Sequence, residues 1–301
     1  MKEKREPDLQ DIQKKSMEIL LVFKEFCEKH GLLFYLCGGC CIGAVRHKGF
    51  IPWDDDIDVF MPRDDYETLA RLWPKEMADT KYRYCRSSQK ECCRYLMAAI
   101  SDESTTFIKE RQKDLDISHG VRLDILPLDG CPDSRQKRLS QIIWGLIYQI
   151  YINQEPPISK GILPYIAGRI MLMLCPGWKL RFRIADFAQK RMSQYPFGSS
   201  GRVTELCARF DPMLREYPAE AFKSAVYMPF EGLEMPVPAG YDIYLRMAFG
   251  DYMTLPAKKD RKPKHETVKI DLEHSYMIYK GIFYCGQTKK KWGFCRRGMG
   301  T

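Results

Sequence analysis

Between Leu36 and Val59 the chain runs an apolar stretch into Gly38-Gly39, then Arg46-His47-Lys48, then an acidic cluster that ends Asp56-Ile57-Asp58-Val59. This order constrains the fold more than any other feature. Glycines directly after an apolar run let bare backbone N–H groups approach an anion. Acid alternating with apolar residue predicts a strand over 54–61, which places Asp56 and Asp58 on one face about 6.6 Å apart, with Ile57 and Val59 buried behind them. Asp54 shares that parity and reads as a supporting acid; Asp55 reads as a turn residue.

Carboxylates without thiol or imidazole favour Mg2+ or Mn2+ over zinc or copper. Such sites need a further acid. Asp124 supplies a candidate, because it stands between Leu123 and Ile125 in an apolar run that Pro127 is expected to end. The plainer account of Asp56, Asp58 and Asp124, as surface acids paired with nearby Arg and Lys, is less satisfactory, since charges with apolar flanks are costly unless paired or coordinated. Arg46 and Lys48 suit a diphosphate, as a bidentate fork and a point charge. His47 is a weaker candidate for the same task. A solvated basic helix end is the alternative for all of them.

These residues resemble the nucleotidyltransferase superfamily. The fuller string from Gly38-Gly39 through Gly43-Ala44-Val45-Arg46-His47-Lys48-Gly49-Phe50-Ile51-Pro52-Trp53-Asp54-Asp55-Asp56-Ile57-Asp58 resembles the LicD phosphotransferases, a family that includes the fukutin-related proteins. The likeness continues at Arg63, Asp65-Tyr66-Glu67, Asp124-Ile125 and Asp129-Gly130. It returns at Phe230-Glu231-Gly232, Tyr241, Tyr244-Leu245 and Gly250-Asp251-Tyr252, covering 16–265 in all. Cys40 and Cys41 depart from the usual pattern, as does Arg122. Cys40 would sit next to the site, where a small hydroxyl residue is usual.

The resemblance implies an α/β (α+β) fold: a nucleotidyltransferase-like mixed sheet with flanking helices, then a mainly helical C-terminal part. It implies a catalytic core over 1–130, an acceptor-side region over 131–265 and a basic extension over 266–301. Asp56, Asp58 and Asp124 would hold the metals, and Gly38 and Gly39 the nucleotide phosphates. The implied reaction moves a phospho-substituent, of phosphocholine or phospho-alditol type, from a CDP-linked donor to a hydroxyl of a cell-surface glycan or lipid-linked glycan, releasing CMP. Tyr241, Tyr244 and Tyr252 are candidates for a head-group pocket, although late aromatics more often pack a core. Nucleotidyl transfer onto a phosphorylated small molecule, and a non-catalytic nucleotide-binding scaffold, are the competing readings.

At 301 residues, 45% hydrophobic and 29% charged, the chain has the composition of a folded globular protein. The charged start, Met1 to Glu6, is unlike a signal peptide, so a cytoplasmic protein with reduced cysteines is expected. Zinc at Cys37-x-x-Cys40 or at Cys85 with Cys92-Cys93 is the alternative to buried thiols. The net charge of +9 is concentrated after Lys258. The run Lys289 to Arg297 reads as solvated tail, and no nucleic-acid partner is expected.

Helices are expected over 8–30, closed by Gly31, and over the apolar runs 139–152 and 162–175. Those two runs are too short to span a bilayer, so they are either core helices or a contact with the inner face of the membrane. A strand is expected over 32–37, a hairpin at Glu231-Gly232 and a helix over 241–249.

Overall fold

Asp8 and Asp11 exchange backbone-to-carboxylate hydrogen bonds of 3.1 and 3.0 Å, and Gly31 closes the same helix in the left-handed conformation, so α1 (Leu9–His30) carries both its start and stop in its sequence. The computed structural model describes residues 7–157, 161–263 and 265–286. The run Lys289 to Arg297 lies outside them. After α1 come β1 (Tyr35–Leu36), α2 (Gly38–His47), β2 (Asp58–Pro62), α3 (Arg63–Glu76), β3 (Tyr82–Cys85), β4 (Ala98–Asp102), β5 (Thr106–Lys109) and β6 (Val121–Gly130). The later elements are α4 (Arg135–Asn153), α5 (Ile162–Leu174), α6 (Trp178–Met192), β7 (Arg202–Thr204), α7 (Phe210–Leu214), β8 (Tyr217–Pro218), β9 (Ala225–Phe230), β10 (Leu233–Pro238), α8 (Tyr241–Phe249) and β11 (Thr267–Asp271).

The main sheet has the order β1-β2-β6-β4-β3, and β7 pairs with the far end of β6 and carries β8. Only β2 and β6 run parallel; the other pairs in this sheet are antiparallel. Two small ribbons complete the α+β fold, β9 with β10 and β11 with β5. One large core joins α1, α2, α3 and the sheet to Tyr217, Phe222, Phe230 and Tyr244 from the later chain. A second core lies among α4, α5 and α6, built on Tyr148, Ile152, Ala185 and Met192. No helix among the described residues is long and apolar enough to cross a membrane. The eleven described cysteines are free thiols.

Three expectations are corrected. The acidic strand begins at Asp58, not at Asp54. The chain from Asp54 to Asp56 is irregular because its polar groups are held from outside the sheet: Asp54 N–H donates to Ile51 O, Gln13 Nε2 donates to Asp54 O at 2.9 Å, and Cys40 Sγ donates to Asp56 O. The alternation therefore does not govern Asp56. Pro127 does not end β6, which continues to Gly130. Pairing with β4 stops at Ile125 and pairing with β7 starts at Asp129, so the missing proline N–H falls in the gap between two partners. The strand expected over 32–37 pairs only at Tyr35 and Leu36, opposite Phe60 and Val59.

Candidate active site

Asp58 and Asp124 are register partners in the parallel β2–β6 ladder. Paired residues of neighbouring strands project to the same face, so two acids from segments far apart in sequence stand side by side. Behind them Val59 and Ile125, the next pair in the ladder, are fully buried. Asp124 N–H also donates to Ile57 O at 2.9 Å, which extends the pairing one step past the end of β2.

The glycine pair opens α2 rather than preceding it. Gly38 has φ +53°, a conformation L side chains rarely adopt, and a Cβ there would sit 3.8 Å from Asp58 Oδ2. A Cβ at Gly39 would lie 2.0 Å from Asp54 Oδ2, so only glycine lets the buried Asp54 carboxylate pack against the helix start. The first turn of α2, where backbone N–H groups gather, thus borders the acids directly. Cys37 N–H donates to Asp58 O at 3.1 Å. Cys40 ties the acidic segment together through its sulfur, which accepts from Asp58 N–H at 3.4 Å and donates to Asp56 O at 3.7 Å. Burial, then the charge of Asp58, pushes the Cys40 thiol well up, so it serves here as a neutral S–H.

Other partners of the acids were not visible in the sequence. Arg122 faces both oxygens of Asp124, with Nε 2.9 Å from Oδ1 and Nη2 3.2 Å from Oδ2, and its guanidinium lies 4.0 Å from the centre of the Tyr95 ring. Lys109, at the end of β5, is pushed down to about 8 by burial and by Arg122, against the pull of Asp124, Asp56 and Asp55. His265 Nδ1 lies 3.0 Å from Asp55 Oδ1, and its backbone N–H donates to Asp55 Oδ2. Burial pushes the Asp55 carboxyl up, but the bonds from His265 and its charge outweigh this and leave it below the usual range. Ligand atoms of Asp55, Asp56 and His265 all lie within 4.8 Å of one another. Asp55 is therefore not a bare turn residue, and Asp56, expected beside Asp58 and Asp124, is gathered with Asp55 and His265 instead; among the described residues no three-ligand group joins it to the other two.

The cations after α2 have divided tasks. Arg46 Nη1 donates to Tyr252 O at 2.6 Å and to Thr254 O at 3.4 Å, so this guanidinium fastens the C-terminal chain to α2. Burial and the nearby Arg261 push Arg46 below its usual range; burial and Arg46 do the same to His47. Arg261 lies over the Trp53 ring at 5.5 Å, and the His47 ring meets Trp53 edge-on at 6.3 Å. Lys48 is exposed at the left-handed end of α2. These cations stand at the C-terminal end of α2, about 15 Å along the helix from its glycine start, where they complement the negative end of the helix dipole.

The tyrosines do not form an open cage. Tyr244 is buried among Phe60, Tyr217 and Phe222, and its hydroxyl accepts from Gly38 N–H at 3.0 Å, so packing claims the ring and the glycine turn claims its oxygen. Tyr252 is buried with its hydroxyl on Asp242 at 2.7 Å; Tyr241 is partly buried against the same core.

Glu231 was visible as a turn residue in a late motif, and its partners were not. It stands in the β9–β10 turn, accepts from Phe50 N–H at 2.9 Å, and donates its own N–H to Lys48 O at 3.0 Å. Glu231→Ala is expected to cost about 1 kcal/mol in stability and to weaken nucleotide-donor binding roughly tenfold by loosening residues 48–50. Thermal melting and a donor titration measure the two effects; unchanged donor affinity would show that the turn does not hold the loop in place.

The profile of the LicD/FKTN/FKRP nucleotidyltransferase domain matches residues 31–115. The lipopolysaccharide cholinephosphotransferase LicD of Haemophilus influenzae is 29% identical over 270 residues, covering 85% of this chain and 96% of that protein. Shorter likenesses join this chain to uncharacterized protein RP689 of Rickettsia prowazekii, 32% identical over 65 residues, or 21% of this chain and 24% of the relative. Uncharacterized protein RT0683 of Rickettsia typhi is 30% identical over 66 residues, or 21% of each chain.

Proposed function

The chain belongs to the LicD family and is a transferase of phosphorus-containing groups, and from that premise we propose that it moves a phosphocholine-type substituent from a CDP-linked donor to a hydroxyl of a cell-surface glycan precursor, releasing CMP. The observation that supports this reading most is the register of Asp58 with Asp124 beside the glycine start of α2. Donor phosphates and a divalent cation would meet at that junction.

Asp56, Asp58 and Asp124 would hold Mg2+ or Mn2+. Hard oxygen ligands for such an ion stand in two sets, Asp58 with Asp124 as ladder partners and Asp55 with Asp56 beside His265, while Arg122 Nη2 takes one lone pair of Asp124 Oδ2 and leaves others available. The imidazole of His265 beside Asp55 and Asp56 widens the choice towards Mn2+. A divalent ion supplies charge neutralisation for the oxygens of a transferring phosphoryl group. The first turn of α2 would orient the diphosphate, and His47, Lys48 and Arg261 would add positive charge at the other end of the helix, where Arg46 fastens the C-terminal chain. Asp124 would accept the proton of the attacking hydroxyl, with Arg122 and Tyr95 keeping its carboxylate in place.

Incubation with Mg2+ or Mn2+, a panel of CDP-linked conjugates and a glycan acceptor that offers free hydroxyls tests the proposal. CMP should appear, and chelation by EDTA should stop its release. Pyrophosphate formed from CTP and a phosphorylated small molecule would instead establish nucleotidyl transfer, and no turnover with any nucleotide donor would point to a binding scaffold.

A further inference from the structure

Helix α5 carries an outward face without a charge. Ile162, Leu163, Ile166, Ile170, Met173 and Leu174 are 74, 77, 46, 51, 70 and 75% exposed. At 100° per residue they occupy a sector of about 120° on the helix. The opposite side is thin but anchored: Gly168 rests on Pro156 and Pro157, and Leu172 is buried. Two polar ties fix the helix end, Tyr151 Oη to Met171 O at 3.2 Å and Arg181 Nη2 to Leu172 O at 2.6 Å. The apolar face is therefore held outward by the fold.

Its surroundings are strongly basic. Between Pro156 and Met192 the sequence has seven Lys and Arg and one acid, Asp186. Lys179, Arg183 and Arg191 on α6 are exposed. A second copy docking through this face would bring two such cationic segments together, which is electrostatically unfavourable. An anionic lipid surface is complementary to both features at once. The helix is roughly 20 Å long, short of the ~30 Å hydrocarbon layer, so it suits a position along the interface rather than across it.

We propose that α5, with the cations of α6, docks this protein onto an anionic bilayer surface. The inference rests on the proposed function only in explaining why docking is useful, since it would bring the enzyme to a lipid-linked acceptor. Co-sedimentation of the full chain with phosphatidylcholine vesicles, with and without one-third phosphatidylglycerol, reads it directly. Binding should be strong to the mixed vesicles and weak to the neutral ones. Ile166→Glu with Ile170→Glu should lower vesicle binding by about tenfold or more, and Lys179→Glu with Arg183→Glu should lower it and flatten its salt dependence. Both variants should keep the wild-type melting temperature and, with a soluble donor, the wild-type rate of CMP release. The docking proposal is overturned if folded wild-type protein ignores anionic vesicles, if the Ile166/Ile170 variant binds them equally well, or if the face instead mediates a dimer that this variant dissolves. Absence of CMP release from a wild-type protein that binds vesicles would overturn the reaction and leave the docking standing.

Discussion

Asp58→Asn should reduce phosphotransfer about a thousandfold, the equivalent of ~4 kcal/mol of lost charge stabilisation, with little change in melting temperature. The substitution keeps the shape of the side chain. Two backbone bonds hold the residue in place: its carbonyl accepts from Cys37 N–H, and its N–H donates to Cys40 Sγ. Its neighbour across the ladder is Asp124, so an amide there removes half of the anionic pair while the strand register survives. Divalent-ion binding measured by calorimetry should weaken in parallel. Activity and ion affinity retained by the asparagine variant would remove Asp58 from the metal site, and the cluster of Asp55, Asp56 and His265 would become the place to look.

The largest stability effect is expected at the other end of the same strand. Arg63 Nε and Nη2 each meet an oxygen of Asp129 at 2.7 Å, and both residues are buried. Asp129→Ala leaves that guanidinium inside the protein with, among the described residues, the half-exposed Glu67 as counter-charge. A loss of about 3–5 kcal/mol follows from breaking a buried pair on one side, and a fall in melting temperature on the order of 10 °C. Arg63→Met combined with Asp129→Leu should recover much of that loss, because the cost lies in the stranded charge rather than in the missing attraction. If Asp129→Ala melts within about 2 °C of wild type, the pair does not hold the start of α3 against β6.

Local signals were read correctly from the sequence wherever they alone decide the structure. Asp8 and Gly31 bracket α1, Glu231-Gly232 turns the β9–β10 hairpin, and the two apolar runs form α4 and α5. Partnership between distant residues was less visible. Period-two alternation suggested a strand from Asp54, but the backbone of 54–56 answers to Gln13, Ile51 and Cys40. Pro127 looked like a stop because the gap that admits it, between β4 and β7 on the edge of β6 away from β2, is set by distant strands. Asp55 and His265 are 210 residues apart, and no spacing rule relates them. Arg46 has the right charge for a phosphate contact; only the fold shows its guanidinium spent on the carbonyls of Tyr252 and Thr254.

The grip of the β9–β10 turn on the loop after α2 has a consequence for how the enzyme comes into being. Glycines and acids emerge early from the ribosome, yet Phe50 and Lys48 cannot be fastened until Glu231 has been synthesised, nor can Gly38 meet its phenol before Tyr244. A nascent chain is therefore inert through most of its elongation. By the same reasoning a fragment trimmed to the acidic and glycine segments alone would lack the fasteners that give them their shape.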